Sequence, residues 1–125
     1  MPCHNDLLAE NFLDSSEKLW LIDWEYAAMG DPLFDLANFV ANFELSDSQT
    51  MTLMTGYFGE VDDKTWATVH MMTLASGMRE AFWNFLQSAI STIEFDYLAC
   101  ANINLARVRE TAPHIFSSFE SVLAS

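Results

Sequence analysis

Positive charge is scarce in this chain of 125 residues: five lysines and arginines stand against eighteen aspartates and glutamates, a net charge of −13. Such a surface repels phosphate backbones and anionic bilayers, which argues against nucleic acid or a membrane as partner and suits a cationic one. Cysteine is scarce too. Cys3 and Cys100 stand far apart and form no C-x-x-C pair, so neither a zinc site nor a disulfide framework is expected, and a reducing, cytoplasmic location is. No apolar run reaches the roughly 18 residues of a membrane span, and Met1-Pro2-Cys3-His4 opens no basic region followed by an apolar stretch. The four glycines are scattered, and neither Lys18 nor Lys64 follows a glycine-rich strand-turn-strand, so no clamp for nucleotide phosphates is present.

What is present is apolar. Hydrophobic residues make up 51% of the chain, enough for one domain to bury a core. Asn11-Phe12-Leu13 and Leu19-Trp20-Leu21-Ile22-Asp23 flank a polar turn, which predicts a short β-hairpin. Asp31-Pro32 predicts a helix start, with Phe34, Ala37, Val40 and Ala41 at helical spacing and an end near Phe43 or Glu44. Ser46-Asp47-Ser48-Gln49 has the form of a capping box and predicts a helix to Tyr57 or Phe58, broken by Gly56 and Gly59. From about Asp63 to Ala89 a three-four spacing that includes Trp66, Val69, Leu74 and Ala81 predicts one long helix, with Phe82 and Phe85 in the core. Ser91-Thr92-Ile93-Glu94 reads as a second capping box, opening a helix that carries Phe95, Leu98, Asn102, Leu105 and Val108 on one side. Pro113 predicts a break before Ile115 to Leu123. The fold class expected is mainly α with a short β-hairpin, since strands and helices do not alternate.

Two motifs carry chemistry. His4-Asn5-Asp6 is followed by Asn11, five residues past the aspartate, and twelve residues on comes Asp23 within Leu21-Ile22-Asp23-Trp24-Glu25-Tyr26. Kinase-type phosphotransferases place a catalytic carboxylate and two magnesium ligands in this order and spacing. Asp6 is then the base that accepts a hydroxyl proton, and Asn11 and Asp23 are the metal ligands, hard oxygens suited to Mg2+. His4 supports the loop by packing and hydrogen bonding. Asn5 stands where many protein kinases carry the arginine that pairs with a phosphorylated activation loop, so control of that kind is not expected. The first motif alone also fits a polar turn; the apolar strand ending in Asp23, with Gly30-Asp31-Pro32 and Asp35 behind it, favours the phosphotransferase.

Residues Pro2 to Leu13, Leu21 to Tyr26 and Gly30 to Ala37 resemble the choline/ethanolamine kinase family, within the aminoglycoside phosphotransferase-like, protein-kinase-like superfamily. Ile90 to Tyr97 is similar to the segment after that family's substrate-pocket helix. The resemblance covers residues 2–110 and the C-terminal lobe only. It implies a protein-kinase-like C-terminal, substrate-binding lobe over residues 1–125, with the N-terminal nucleotide-binding lobe absent. It further implies an ATP- and Mg2+-dependent phosphotransferase acting on a small amino alcohol such as choline or ethanolamine, inactive as this chain alone. By the same resemblance Asp35 anchors the catalytic loop, Tyr26, Trp83 and Tyr97 fall on positions in or beside an aromatic cage for the cation, and Glu94 adds a carboxylate. Glu80 and Cys100 stand where the family carries further pocket aromatics, which leaves thiamine or an aminoglycoside open as acceptors. The competing readings are a non-catalytic lobe that binds a cationic amine, and a lobe that pairs with a separate N-terminal lobe or with itself as a homodimer.

Overall fold

Four polar residues decide where the helices begin. In the computed structural model, which describes all 125 residues, Asp31 accepts the Leu33 amide at 2.9 Å and Pro32 opens α1, Pro32–Asn42. Ser46 and Gln49 complete a reciprocal capping box at the head of α2, Asp47–Phe58, which Gly59 ends with φ +81. Asp62 accepts the Thr65 amide and opens α3, Asp63–Ile90. Asp96 accepts the Ala99 amide and opens α4, Tyr97–Leu123. The first three starts agree with the sequence signals.

The fourth start corrects one. Ser91 accepts only the Ile93 amide, residues 91–96 form an irregular link, and Glu94 is an exposed link residue rather than the third residue of a helix. The charged oxygen of Asp96 offers the stronger cap, so the helix begins there and Phe95 and Leu98 stay exposed. Pro113 does not break α4 either. It removes one amide donor, but the helix lies along α3, where Val108, Thr111 and Ile115 border the same cavity as His70, Thr73 and Leu74. Tertiary packing holds what propensity would break. Phe82, expected in the core, is 62% exposed: Ala81 and Asn84 take the buried side of α3 at this level and Phe82 falls on the other.

Two antiparallel sheets of two strands complete the fold. The expected hairpin pairs β2, Phe12–Asp14, with β3, Leu19–Leu21, in the register Phe12 to Leu21. The second sheet, β1 (Pro2–Cys3) with β4 (Ala28–Met29), has strands too short to show periodicity in the sequence. It brings the His4 loop to the head of α1. Burial, and then the nearby Asp35 carboxylate, push the Cys3 thiol above its ordinary 9.0, so Cys3 packs there as a neutral group.

The core lies where α1, α2 and α3 meet, at Ala37, Met54 and Val69 with Leu33, Leu36, Val61 and Met72 around them. It is small for the chain. The accessible surface is 8239 Å², against about 6,800 Å² for a folded monomer of this mass. Much apolar surface is exposed: Leu13, Leu19, Trp20 and Trp24 by the hairpin, and Phe82, Leu86, Ile90, Ile93 and Phe95 around the α3–α4 link, are each at least 50% exposed. No helix is long and apolar enough to cross a membrane.

Two predictions follow from the α3–α4 seam. A methyl on Gly77 would come within 2.9 Å of Val108 Cγ2, so Gly77→Ala should lose to this clash the roughly 1 kcal/mol that alanine gains in a helix. In a Val108→Ala background the same change should stabilise, and urea midpoints of the four variants test it. His70, edge-on to Trp66 at 4.5 Å, is held below its ordinary 6.5, first by burial and then by His114, with Asp47 pulling the other way. The unfolded chain binds a proton there that the folded chain resists. Stability from this group is therefore intact above pH 6.5 and falls as pH drops below it. A His70→Gln variant should show a flatter loss of stability between pH 7.5 and 5.5, read from the same midpoints.

Candidate active site

Asp35, in the first turn of α1, turns its carboxylate back on the loop after β1. Its two oxygens accept the backbone amides of His4 and Asn5, each at 2.7 Å. Asn38 and Asn42, one and two turns further along, hold Leu7 from both sides: Asn38 Oδ1 accepts its amide at 2.6 Å and Asn42 Nδ2 donates to its carbonyl at 3.0 Å. Asn38 in turn donates to Ser76 Oγ at 3.0 Å, which ties α1 to α3 under the loop. Neither asparagine was singled out by sequence. The available signal was a pair of amides four residues apart on the inner face of an amphipathic helix, where buried polar groups must find partners.

His4 is buried and bonded at both ring nitrogens. Its Nδ1 accepts the Asp6 amide at 3.2 Å and its Nε2 donates to the Ile22 carbonyl at 2.9 Å, which fixes a neutral ring protonated on Nε2. Trp24 lies edge-on to it at 4.7 Å. The imidazole thus joins the Asp6 loop to the end of β3 and is spent on doing so.

Of the four non-glycine residues with left-handed backbone, two are here, Asn5 at φ 66 and Asp23 at φ 61. Asparagine and aspartate tolerate that region better than other side chains. Asn5 is held by Asp35 at its amide, by Arg79 at its carbonyl and by its own Nδ2 on the Tyr26 carbonyl at 3.1 Å. The asparagine therefore couples the Asp6 loop to the Tyr26 loop.

Asn11 closes the single 3-10 turn Ala9–Asn11, donates from Nδ2 to the Asp6 carbonyl at 2.8 Å, and accepts the Ile22 amide on its own carbonyl at 2.9 Å. Its side-chain oxygen is left as the atom to bind a ligand. The Ile22 bond sets Asp23 one residue past Asn11's partner, with an exposed carboxylate. Nowhere do three His, Cys, Asp or Glu side chains gather into a metal cage. One amide oxygen and one carboxylate fit an ion such as Mg2+, which prefers oxygen and takes its remaining ligands from water and phosphate.

Beside the loop lies a cavity of about 270 Å³ lined by Asp6, Leu8, Glu25, Tyr26, Arg79, Glu80 and Trp83. Asp6, Tyr26 and Trp83, predicted for the site, are brought together there. Tyr97 and Glu94 lie outside the lining: the Tyr97 ring is 5.9 Å from Trp83 and edge-on, and Glu94 is on the exposed link. Arg79 was missed. Its guanidinium donates to the Asn5 carbonyl and to Glu80 Oε1 at 3.1 Å, lies 3.7 Å from Asp6 Oδ1, and stacks 5.4 Å from the Phe34 ring. A lone cation amid the apolar run of α3, in so acidic a chain, was the sequence signal for it. A larger cavity of about 460 Å³, between the end of α1, α3 and α4, contains none of the motif residues.

Residues 1–55 match the family model described as choline/ethanolamine kinase. The chain is similar to Protein LicA of Haemophilus influenzae, 41% identical over 49% of the chain and 23% of that protein. It is similar to a probable ethanolamine kinase of Arabidopsis thaliana, 30% identical over 98% of the chain and 38% of that protein. Among solved structures, a choline/ethanolamine kinase family protein from Mesorhizobium loti superposes with a TM-score of 0.82 at 31% identity, over 95% of this chain and 43% of that one. The chain thus spans less than half the length of each of these relatives. The motif residues, the helical architecture and these matches together support the choline/ethanolamine kinase family, and the chain has the fold of that family's helical lobe.

Proposed function

We propose that this chain is the acceptor-binding half of an ATP- and Mg2+-dependent phosphotransferase that phosphorylates the hydroxyl of a small amino alcohol such as choline or ethanolamine. The observation that carries the reading is the cavity in which the motif carboxylate Asp6 shares its walls with Tyr26, Trp83 and Glu80. Ring faces and carboxylates attract an ammonium, and a carboxylate at the reacting end accepts the proton that the hydroxyl gives up. Asp6 is well placed for that task, since its own backbone is fixed by His4 and Asn11 and its side chain is 18% exposed.

Asn11 and Asp23 would hold the metal. Bound there, Mg2+ would offset the negative charge on the phosphates of ATP, the phosphoryl donor. The chain's own contribution is positional: Asp35 and His4 hold the loop, and Asn5 and Arg79 keep it against the acceptor cavity. The nucleotide is held by a lobe outside these 125 residues, and the exposed Leu13, Leu19 and Trp20 of the hairpin are the surface we assign to it.

Calorimetric titration of the chain with ethanolamine and with choline should show binding of an amino alcohol without nucleotide; binding of neither overturns the reading. Joined to the nucleotide lobe of a relative, the chain should transfer phosphate from ATP, and alone it should do so little or not at all. In the joined protein Asp6→Asn should lower kcat by about 10²- to 10⁴-fold while amine affinity falls less than about fivefold. A variant that keeps its rate would remove Asp6 from the chemistry. Asp35→Ala, which leaves the His4 and Asn5 amides without their acceptor, should lower the stability of the chain by about 3 kcal/mol in urea titration.

A further inference from the structure

We infer that Glu80 makes the cavity selective for an acceptor whose ammonium carries N–H donors, a primary ammonium such as that of ethanolamine, over a quaternary one such as that of choline. The inference rests on the amino-alcohol reading above and narrows it. A quaternary ammonium has no hydrogen to donate, and its recognition depends on enclosure by ring faces. Only two aromatic residues line this cavity, Tyr26 and Trp83; Tyr97 touches the indole edge-on but is not part of the lining. Apart from Leu8 the rest of the lining is charged, the carboxylates of Asp6, Glu25 and Glu80 with one guanidinium, that of Arg79.

Glu80 and Trp83 stand three residues apart on α3, so the carboxylate and the indole share one side of the helix and both reach the cavity. Arg79 holds Glu80 through Oε1 at 3.1 Å. An ionised carboxylate has about four acceptor sites on its two oxygens, so Oε2 stays available for an ammonium while the group is fixed in place. The Glu80 side chain is 24% exposed, which limits the water that could substitute for that ammonium. A trimethylammonium in the same place would cover the carboxylate without satisfying it.

Spacing agrees with chemistry. Arg79 Nη2 lies 3.1 Å from Glu80 Oε1 and 3.7 Å from Asp6 Oδ1, so one nitrogen spans the two carboxylates. A two-carbon amino alcohol can then place its ammonium at Glu80 and its hydroxyl at Asp6. Each N-methyl group would remove a donor and add bulk on the side where Glu80 and Arg79 already stand.

The test is a calorimetric series on the chain with ethanolamine, its N-methyl and N,N-dimethyl derivatives and choline. Affinity should fall along the series, by about tenfold or more from end to end. Glu80→Gln should weaken ethanolamine about tenfold and leave choline within about twofold, and Glu80→Trp should reverse the order, with helical circular dichroism confirming that each variant folds. Choline binding as tightly as ethanolamine to the wild type overturns the inference without recourse to any variant. An unchanged ratio in Glu80→Gln does so too, since it leaves Glu80 a structural partner of Arg79 only. If no member of the series binds the wild type, the amino-alcohol reading fails first and the selectivity with it.

Discussion

The Asp35 carboxylate, accepting the amides of His4 and Asn5, is the contact on which the candidate site depends. A two-residue strand pair cannot by itself hold a loop in register, because two strands of that length leave most of their backbone groups unpaired. Asp35 supplies the missing tie from a helix, and a charged acceptor makes each of its bonds stronger than a neutral one. Once those two amides are fixed, His4 points inward to Ile22, Asp6 follows on its Nδ1, and the Asp6 carbonyl is presented to Asn11. The three motif residues are thus positioned through one chain of bonds, of which Asp35 is the end attached to the helical body.

That chain of bonds explains what the sequence could and could not reveal. Two helix starts were readable because a cap acts over three residues, Asp31 and Ser46 each satisfying amides next to themselves, and the start near Asp63 was readable from apolar spacing, with Asp62 as its cap. The same locality misled at Ser91, where two adequate caps compete within five residues and the carboxylate of Asp96 prevails. Pro113 misled for the opposite reason, since a helix anchored along its length on α3 tolerates one missing donor. Asp6, Asn11 and Asp23 could be singled out as candidates because phosphoryl transfer demands particular side chains at particular separations.

Arg79, Asn38 and Asn42 were not legible, because their partners lie far away in sequence: Arg79 reaches Asn5, and the two asparagines reach Leu7. Nothing local to α1 or α3 says which loop will cover a buried amide or a guanidinium. Arg79 also resolves what would otherwise be a contradiction, a cation in a cavity read as binding cations. Its donors are turned to the Asn5 carbonyl, Glu80 and Asp6 and its face to Phe34, so its charge is already paired and it acts as a brace between α3 and the loop.

Charge then separates the two reactants of the proposed transfer. A chain of net charge −13, with three carboxylates around its cavity, draws an ammonium toward Asp6 by its overall field and disfavours a free triphosphate by the same field. The nucleotide can approach only with its charge offset, by the metal it arrives with and by cationic groups that this chain does not supply. In the proposed transfer Asn11 would offer the metal a neutral amide oxygen and Asp23 a carboxylate, a pair that adds one negative charge beside the phosphates. In the proposed enzyme the cationic groups for the triphosphate would come from the nucleotide lobe, and the exposed apolar face of the hairpin is the surface whose burial would join that lobe to this one.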